Sequence, residues 1–396
     1  MTMSSKPLHV LIIPSWYPLS PSDIGGSFFR EQALALKKRG VKVGVISPCV
    51  RSLRSAKVFQ QPFGIHTDID EGIPTFRYHA INVIPRMETL FEKMWVMLGM
   101  KLFLEYKKVY GLPDIMHVHS LDRAGFLAYA ISKKYNIPYI VTEHSSAFAR
   151  TAINQSKKKR LLNVVSSARK HIAVSQSFSK FLSDTFSNSN WVYLPNIVSD
   201  KFLAASEAKD KNNNIFTFVN VCMLTENKRV DNLIKAFSLL SEKYDNVQLK
   251  IGGDGICRND LEELAIELNV DNKIEFLGAL TRDEVFTQIN QADAFVLSSE
   301  YETFGVVLIE ALALGKPVVA TRCGGPESIV TDEVGVLVEK NSVQALCDGM
   351  EMIYTNRENL DANKIKSYCQ HNFSEDAVTD KLLNIYHNIL RSKTYE

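Results

Sequence analysis

The chain lacks most of the features that would take it out of the class of ordinary globular proteins. Its six cysteines, Cys49, Cys222, Cys257, Cys323, Cys347 and Cys369, form no C-x-x-C pair. That argues against a zinc site and a disulfide framework, and fits a reducing compartment. No apolar run approaches the roughly eighteen residues needed to cross a bilayer. The opening, MTMSSKPLHVLIIP, has a hydrophobic stretch too short, and too soon ended by proline, for a signal peptide. It reads as a first β-strand, and a cytoplasmic location is expected. There is no low-complexity segment and no short repeat, so a solenoid is excluded.

What is present is a 45% apolar fraction in 396 residues, more than one core usually organises, so two domains are expected. A net charge of +2 conceals an asymmetry: residues 1–200 hold 26 Lys+Arg against 13 Asp+Glu, and the remainder 20 against 31. A basic half attracts the phosphates of a lipid or a nucleotide, although runs such as Lys157-Lys158-Lys159-Arg160 are often only solvated surface. No nucleic-acid partner is expected.

Short β-branched runs alternate with longer helical patterns, the signature of parallel strands joined by crossover helices. In the first half strands are expected at 9–13, 42–47, 115–119, 139–142, 171–174 and 191–194, with a helix over 28–39 stopped by Gly40. The polar stretch 206–214, SEAKDKNNN, has no apolar periodicity and reads as a linker. Beyond it strands are expected at 216–221, 248–252, 273–277, 294–297, 317–320 and 335–338. A last amphipathic segment, 377–390, has no strand after it and must pack on something already formed. The expected organisation is therefore a Rossmann-like domain over 1–205, the linker, a second over 215–375, and a C-terminal helix over 376–396 that returns to the first domain. Open parallel sheets bind ligands at their carboxyl strand ends, so function is sought in the loops that follow strands.

The most informative stretch is SSEYETFGVVLIEALALG, residues 298–315, directly after a strand. Glu302 and Glu310 lie eight residues apart, slightly over two turns, so a helix beginning near Phe304 lets both carboxylates face one ligand. Phe304 and Gly305 at the entrance offer backbone amides to sugar hydroxyls or phosphate oxygens. The same residues also suit an acidic helix start and a glutamate on a solvated face. A strand, Gly-Lys-Pro-Val-Val-Ala, then follows, and after it Gly324-Gly325 and Glu327.

This run resembles glycosyltransferase family 4, the retaining enzymes of GT-B fold, whose pattern is a glutamate, seven residues, a second glutamate and a Gly-Lys-Pro-Val-Val-Ala-like strand. The resemblance covers nearly the whole chain. Pro14-Ser15-Trp16-Tyr17-Pro18 and Gly25-Gly26 look like the opening strand and its Gly-rich loop. His117-Val118-His119-Ser120, Thr142-Glu143-His144, Val174-Ser175, Leu194-Pro195-Asn196-Ile197-Val198, Gly252-Gly253-Asp254-Gly255 and Phe276-Leu277-Gly278 fall where the family has counterparts.

The resemblance implies an α/β GT-B fold, two Rossmann-like domains facing each other across a cleft. It also implies retaining transfer of a hexose-type sugar from a nucleotide-diphosphate donor to a glycan or lipid-linked acceptor, in bacterial-type polysaccharide or glycolipid synthesis. Glu310 would accept hydrogen bonds from the donor ribose, and Glu302 would face the donor sugar beside backbone groups of Thr303, Phe304 and Gly305. Lys228 would neutralise the leaving diphosphate, helped by amides of Gly25 and Gly26, with Gly253 and Leu277 near the nucleotide. His119 would contact the transferred sugar or the acceptor, where the alternative is a structural histidine at a strand end.

One departure matters. The family has Gly-Arg-Leu and then Lys-Gly, whereas this chain has Cys222-Met223-Leu224 and then Lys228-Arg229. Met223 replaces an arginine, and Arg229 is the available substitute. No cofactor and no metal are expected, since Asp68-Ile69-Asp70 has Asp-x-Asp spacing but reads as a Gly- and Pro-flanked surface loop. The segment 87–110 mixes aromatics, methionines and lysines, which fits a core helix with secondary contact to an anionic membrane surface. The rival readings are a nucleotide-sugar epimerase of the same architecture and a weakly catalytic nucleotide-sugar-binding protein.

Overall fold

The computed structural model describes residues 6–20, 23, 25–53, 62–83, 87–146, 148, 154–187, 189–205 and 215–393. The expected linker, 206–214, lies outside the described residues. Contacts divide the chain into two compact units: Met1–Val174, Ser179–Leu194 and Thr379–Glu396 form the first, Ser175–Phe178 and Pro195–Val378 the second.

The first unit holds an eight-stranded sheet of β1 (His9–Pro14), β2 (Lys42–Ser52), β3 (Gly64–Asp70), β4 (Ile73–Asn82), β5 (Ile115–His119), β6 (Tyr139–Glu143), β7 (Lys170–Ala173) and β8 (Trp191–Tyr193), in the order β3-β4-β2-β1-β5-β6-β7-β8. Neighbours run parallel except β3 and β4. β1, β5 and β6 are buried along their whole length, which explains why they read as continuous apolar runs rather than alternating ones. Helix α1 (Ser27–Lys38) contributes Phe29 and Leu36 to the core, and α2 (Glu88–Tyr110) contributes Trp95, Leu102, Phe103 and Tyr106. Leu90 and Met97 of α2 remain exposed. No helix among the described residues is long and apolar enough to cross a membrane.

The hairpin β3–β4 was not foreseen from the sequence, and it corrects the reading of Asp68-Ile69-Asp70 as a loop. The two strands pair antiparallel through a turn at Glu71 (φ 46°) and Gly72 (φ 81°). Two successive positive φ values give a turn whose twist matches that of the flanking strands. Arg77 Nη1 donates to Asp68 at 2.6 Å, and Arg30 Nε donates to Asp70 at 2.6 Å. Each carboxylate is thus matched by its own arginine. The basic run is partly neutralised as well, because Lys157 pairs with Glu88 at 2.6 Å and Arg160 with Glu92 at 2.9 Å.

The second unit holds a six-stranded, wholly parallel sheet of β9 (Phe216–Val221), β10 (Val247–Gly252), β11 (Ile274–Gly278), β12 (Ala294–Leu297), β13 (Val318–Thr321) and β14 (Gly335–Val338). Its order is β11-β10-β9-β12-β13-β14, so the winding reverses between β9 and β12. In the first sheet it reverses between β1 and β5. Loops leaving the carboxyl ends of such neighbouring strands diverge and leave a crevice.

The last helix, Glu375–Lys393, enters the first unit at Thr379. There Tyr386 is fully buried, its hydroxyl 2.7 Å from His117 Nδ1.

Candidate active site

In the second unit the reversal brings together the loop after β9, which ends in the turn Glu226–Lys228, and the loop after β12, residues 298–305. The Lys228 ammonium lies 2.5 Å from Glu302 Oε1, which also accepts from Ser299 Oγ at 2.8 Å. Ser298 Oγ donates to the Lys228 carbonyl at 2.8 Å, and the Glu300 amide to the Asn227 carbonyl at 2.8 Å. The two loops are therefore laced along their backbones, and the ion pair sits on a fixed base. Burial opposes charge on Lys228, but the Glu302 carboxylate more than offsets it, and the ammonium titrates above its ordinary value.

The loop after β13 locks the same segment from its other side. The Glu302 amide donates to the Cys323 carbonyl at 3.1 Å and the Gly325 amide to the Glu302 carbonyl at 2.8 Å. A Cβ on Gly325 would collide with the backbone of Phe304, and Gly324 adopts φ 114°. This close approach is why the pair must be glycine.

Helix α3 (Val306–Ala313) begins two residues later than the sequence spacing suggests, with Gly305 as its N-cap at φ 101°. Glu302 consequently stands in the loop while Glu310 stands in the helix. Phe304 turns its ring into the core against Phe373, and Thr303 is half-buried. Glu310 is 0% exposed, and its Oε1 accepts from Arg282 Nη1. Among the described residues its Oε2 has no hydrogen-bond partner. Burial raises the Glu310 carboxyl, with Arg282 pulling the other way. The two glutamates are thus bound to two different cations.

Nearby, Gly253 adopts φ 131° and its amide donates to the Gly278 carbonyl at 2.7 Å, which ties the ends of β10 and β11 beside Leu277. A Cβ on Gly253 would collide with the Cys222 carbonyl. Met223 is 66% exposed. Arg229, held at φ 48°, bonds Asp231 at 3.0 Å and Asn341 at 2.9 Å, and no bond to Glu302 accompanies these. Its guanidinium is committed away from the Lys228–Glu302 pair.

In the first unit the groups at the reversal are imidazoles. His119 ends β5 fully buried, its Nδ1 3.1 Å from His144 Nε2 and its ring packed 4.8 Å from that of Phe29. Among the described residues its Nε2 has no hydrogen-bond partner. Burial, with His117 and His144 close by, holds its pKa well below the ordinary value, so the ring is neutral. Beneath it Glu143 accepts from the amides of Leu121 (2.6 Å), His144 (2.9 Å) and Ser145 (2.8 Å). Burial nevertheless lifts that carboxyl to about 7. Gly26 has φ 83° at the start of α1, where a Cβ would lie 2.9 Å from Trp16 Cδ1. The Gly25 amide is taken by Asp23 at 2.9 Å.

Sequence reasoning missed Arg282, Ser299 and the packing role of Gly325. A signal existed for Arg282 alone: Thr281 and Glu284 form a capping box that starts the helix Arg282–Gln291.

Comparison with known proteins follows the same division. The chain matches the family described as Glycosyl transferases group 1 over residues 199–370. It matches Glycosyltransferase Family 4 over residues 25–202. An uncharacterized glycosyltransferase of Methanocaldococcus jannaschii is 33% identical over 41% of this chain and 42% of its own length, so the chain spans less than half of that relative. A Bacillus subtilis glycosyltransferase named for teichuronic acid biosynthesis is 25% identical over 87% of this chain and 88% of its own. Among solved structures, sucrose-phosphate synthase from Thermosynechococcus elongatus superposes with a TM-score of 0.78 at 19% identity, over 98% of this chain and 100% of that one. A glycosyltransferase from Rickettsia africae gives 0.74 at 22% identity, over 98% and 99%. Anabaena HepE, solved in complex with UDP, gives 0.71 at 17% identity, over 98% and 100%. With two family matches that together run from residue 25 to residue 370 and the GT-B fold of these neighbours, the chain belongs to the glycosyltransferases of group 1 and family 4.

Proposed function

We propose that this protein is a retaining glycosyltransferase that moves a hexose-type sugar from a nucleotide-diphosphate donor to a glycan or lipid-linked acceptor. The observation that carries the reading is the Lys228–Glu302–Ser299 cluster at the winding reversal of the second sheet, with Glu310 buried in the helix that follows. Departure of a nucleoside diphosphate leaves negative charge on phosphate oxygens, and Lys228 is the cation placed to receive it. As it turns to the diphosphate, Glu302 is released towards the sugar, where an oxocarbenium-like centre develops. Glu310 Oε2 takes the ribose hydroxyls. Attack comes from the face the leaving group vacates, so no protein nucleophile is required. Within the first unit, His119, neutral and with Nε2 unpartnered among the described residues, is able to donate to or accept from a sugar hydroxyl.

No metal-dependent step is needed in this scheme, and contact of the basic first half with an anionic membrane surface is consistent with a lipid-linked acceptor. Exposed Met223 and the committed Arg229 favour one alternative, a protein that binds nucleotide sugars but transfers them slowly. Thermal unfolding with a panel of nucleotide sugars tests the reading: the true donor raises the melting temperature by mass action, and Glu310→Ala removes the shift. Product analysis with and without acceptor separates the classes, since an epimerase converts donor alone and a binder converts nothing. Unchanged shifts in Glu310→Ala would remove the reading.

A further inference from the structure

Glu310 poses a physical problem that its position in the sequence does not. A carboxylate with no exposure is normally satisfied at both oxygens, because each unmet acceptor carries a desolvation cost. Here Oε1 is met by Arg282 and Oε2, among the described residues, by no protein group. Arg282 is itself constrained. It opens its helix directly after the Thr281–Glu284 capping box, and its guanidinium lies 4.9 Å from the centre of the Phe202 ring. A cation stacked on an aromatic face and bonded to one carboxylate oxygen has little freedom to turn.

We infer that Arg282 is a positioning residue for the donor: it holds Glu310 by Oε1 and fixes its rotation, so that Oε2 is the oxygen left for a ligand hydroxyl. The inference rests on the reading of Glu310 as the group that meets the donor nucleoside. It adds a residue which the family motif does not contain and which lies 28 positions away in sequence.

Other charges around Glu310 are engaged elsewhere. On the short helix Asp200–Leu203, Lys201 is paired with Asp283 at 2.5 Å, and the Asp200 amide donates to the Glu375 carboxylate at 3.3 Å. On the helix Ala362–Phe373, Lys366 Nζ donates to the Ala205 carbonyl at 3.2 Å and Cys369 Sγ to the Ile309 carbonyl at 3.2 Å. Glu284 is held in its capping box. The strands β12 and β13 carry no titratable side chain beside α3. Arg282 is therefore the cation that compensates Glu310, and without it burial pushes the carboxyl towards its neutral form.

The test is calorimetric titration of the full chain with UDP, GDP and ADP from pH 6 to 9, the tightest binder being carried forward. Wild type is expected to bind with nearly constant affinity. Arg282→Gln should bind at least ten times more weakly at pH 6.5 and recover as the pH rises, by up to about tenfold per pH unit while Glu310 titrates. Glu310→Gln should be weak at every pH. Arg282→Lys, which keeps a cation but loses the planar stacked head, should lose about threefold with a flat profile, and it serves if Arg282→Gln fails to fold. Arg282→Gln with wild-type affinity and a flat profile overturns the inference, as does Arg282→Lys indistinguishable from wild type. If Glu310→Gln binds like wild type, or none of the three nucleotides binds, the underlying reading of the site falls instead.

Discussion

At the winding reversal of the first sheet the buried polar groups include three imidazoles, His117, His119 and His144, with Glu143 beside them; at that of the second, Glu310 is buried and Glu302 half-buried. The imidazoles contact one another, the Thr142 hydroxyl, Tyr386 and the rings of Phe28 and Phe29, and burial leaves them neutral. The carboxylates of the second unit each have a cation within hydrogen-bond reach. Burial alone discharges a group, whereas a counter-charge beside it opposes that discharge. The comparison teaches how each environment sets charge: the buried imidazoles of the first unit are neutral, whereas the carboxylates at the reversal of the second are each paired with a cation.

The largest expected effect falls on the charged side. Glu302→Ala leaves Lys228 without its partner and should lower transfer by about 100-fold with little change in folding, as read by initial rates beside a melting curve. Should His119→Ala prove the more damaging in rate, the assignment of roles between the units is reversed.

Acid separates the units next. His117 and His144 titrate at about 3 in the fold and His119 well below its ordinary value of 6.5. The unfolded chain takes up protons below pH 6.5 that the fold refuses, so this stability is whole above pH 6.5 and is lost as the pH falls towards 3. Glu143, raised to about 7, acts oppositely: its contribution is present at acid pH and is lost as the pH rises through 7. Three imidazoles outweigh one carboxyl. Between pH 6.5 and 4.5 the first unit should lose of the order of 1–3 kcal/mol per pH unit. Hydrogen exchange at pH 7 and pH 5 should show amides of β1, β5 and β6 opening while those of β9 and β12 hold. Equal opening in both sheets would remove the distinction.

Smaller effects sharpen it. Gly325→Ala forces a methyl against the Phe304 backbone and should cost about 3 kcal/mol and displace Glu302, seen together as a lower melting temperature and a weaker donor shift. Tyr386→Phe removes the hydroxyl bonded to His117 and should cost about 1 kcal/mol, with no change in nucleotide affinity.

Much of the frame was legible because parallel strands buried on both faces are continuous apolar runs, and both units are built from them. The hairpin was not legible. GIHTDID carries only two apolar side chains, Ile65 and Ile69, and lies exposed at the sheet edge, so no apolar run marks it, and its turn uses Glu71 where the usual signal is asparagine or aspartate before glycine. The glutamate pair was legible as a motif, but its partners were not. Lys228 and Glu302 are 74 residues apart, and only the insertion of β12 beside β9 brings them together. Arg229 shows the converse. Adjacency to Lys228 suggested a second phosphate cation, yet its left-handed backbone starts a helix and sends the side chain to Asp231.

The central claim is best tested by a crystal structure of the chain soaked with the nucleoside diphosphate that binds it. The account requires phosphate density within hydrogen-bond distance of Lys228 Nζ and a ribose hydroxyl on Glu310 Oε2, with Arg282 still on Oε1. Density at another place in the second unit, with the Lys228–Glu302 pair intact and Glu310 Oε2 still unmet, would contradict it.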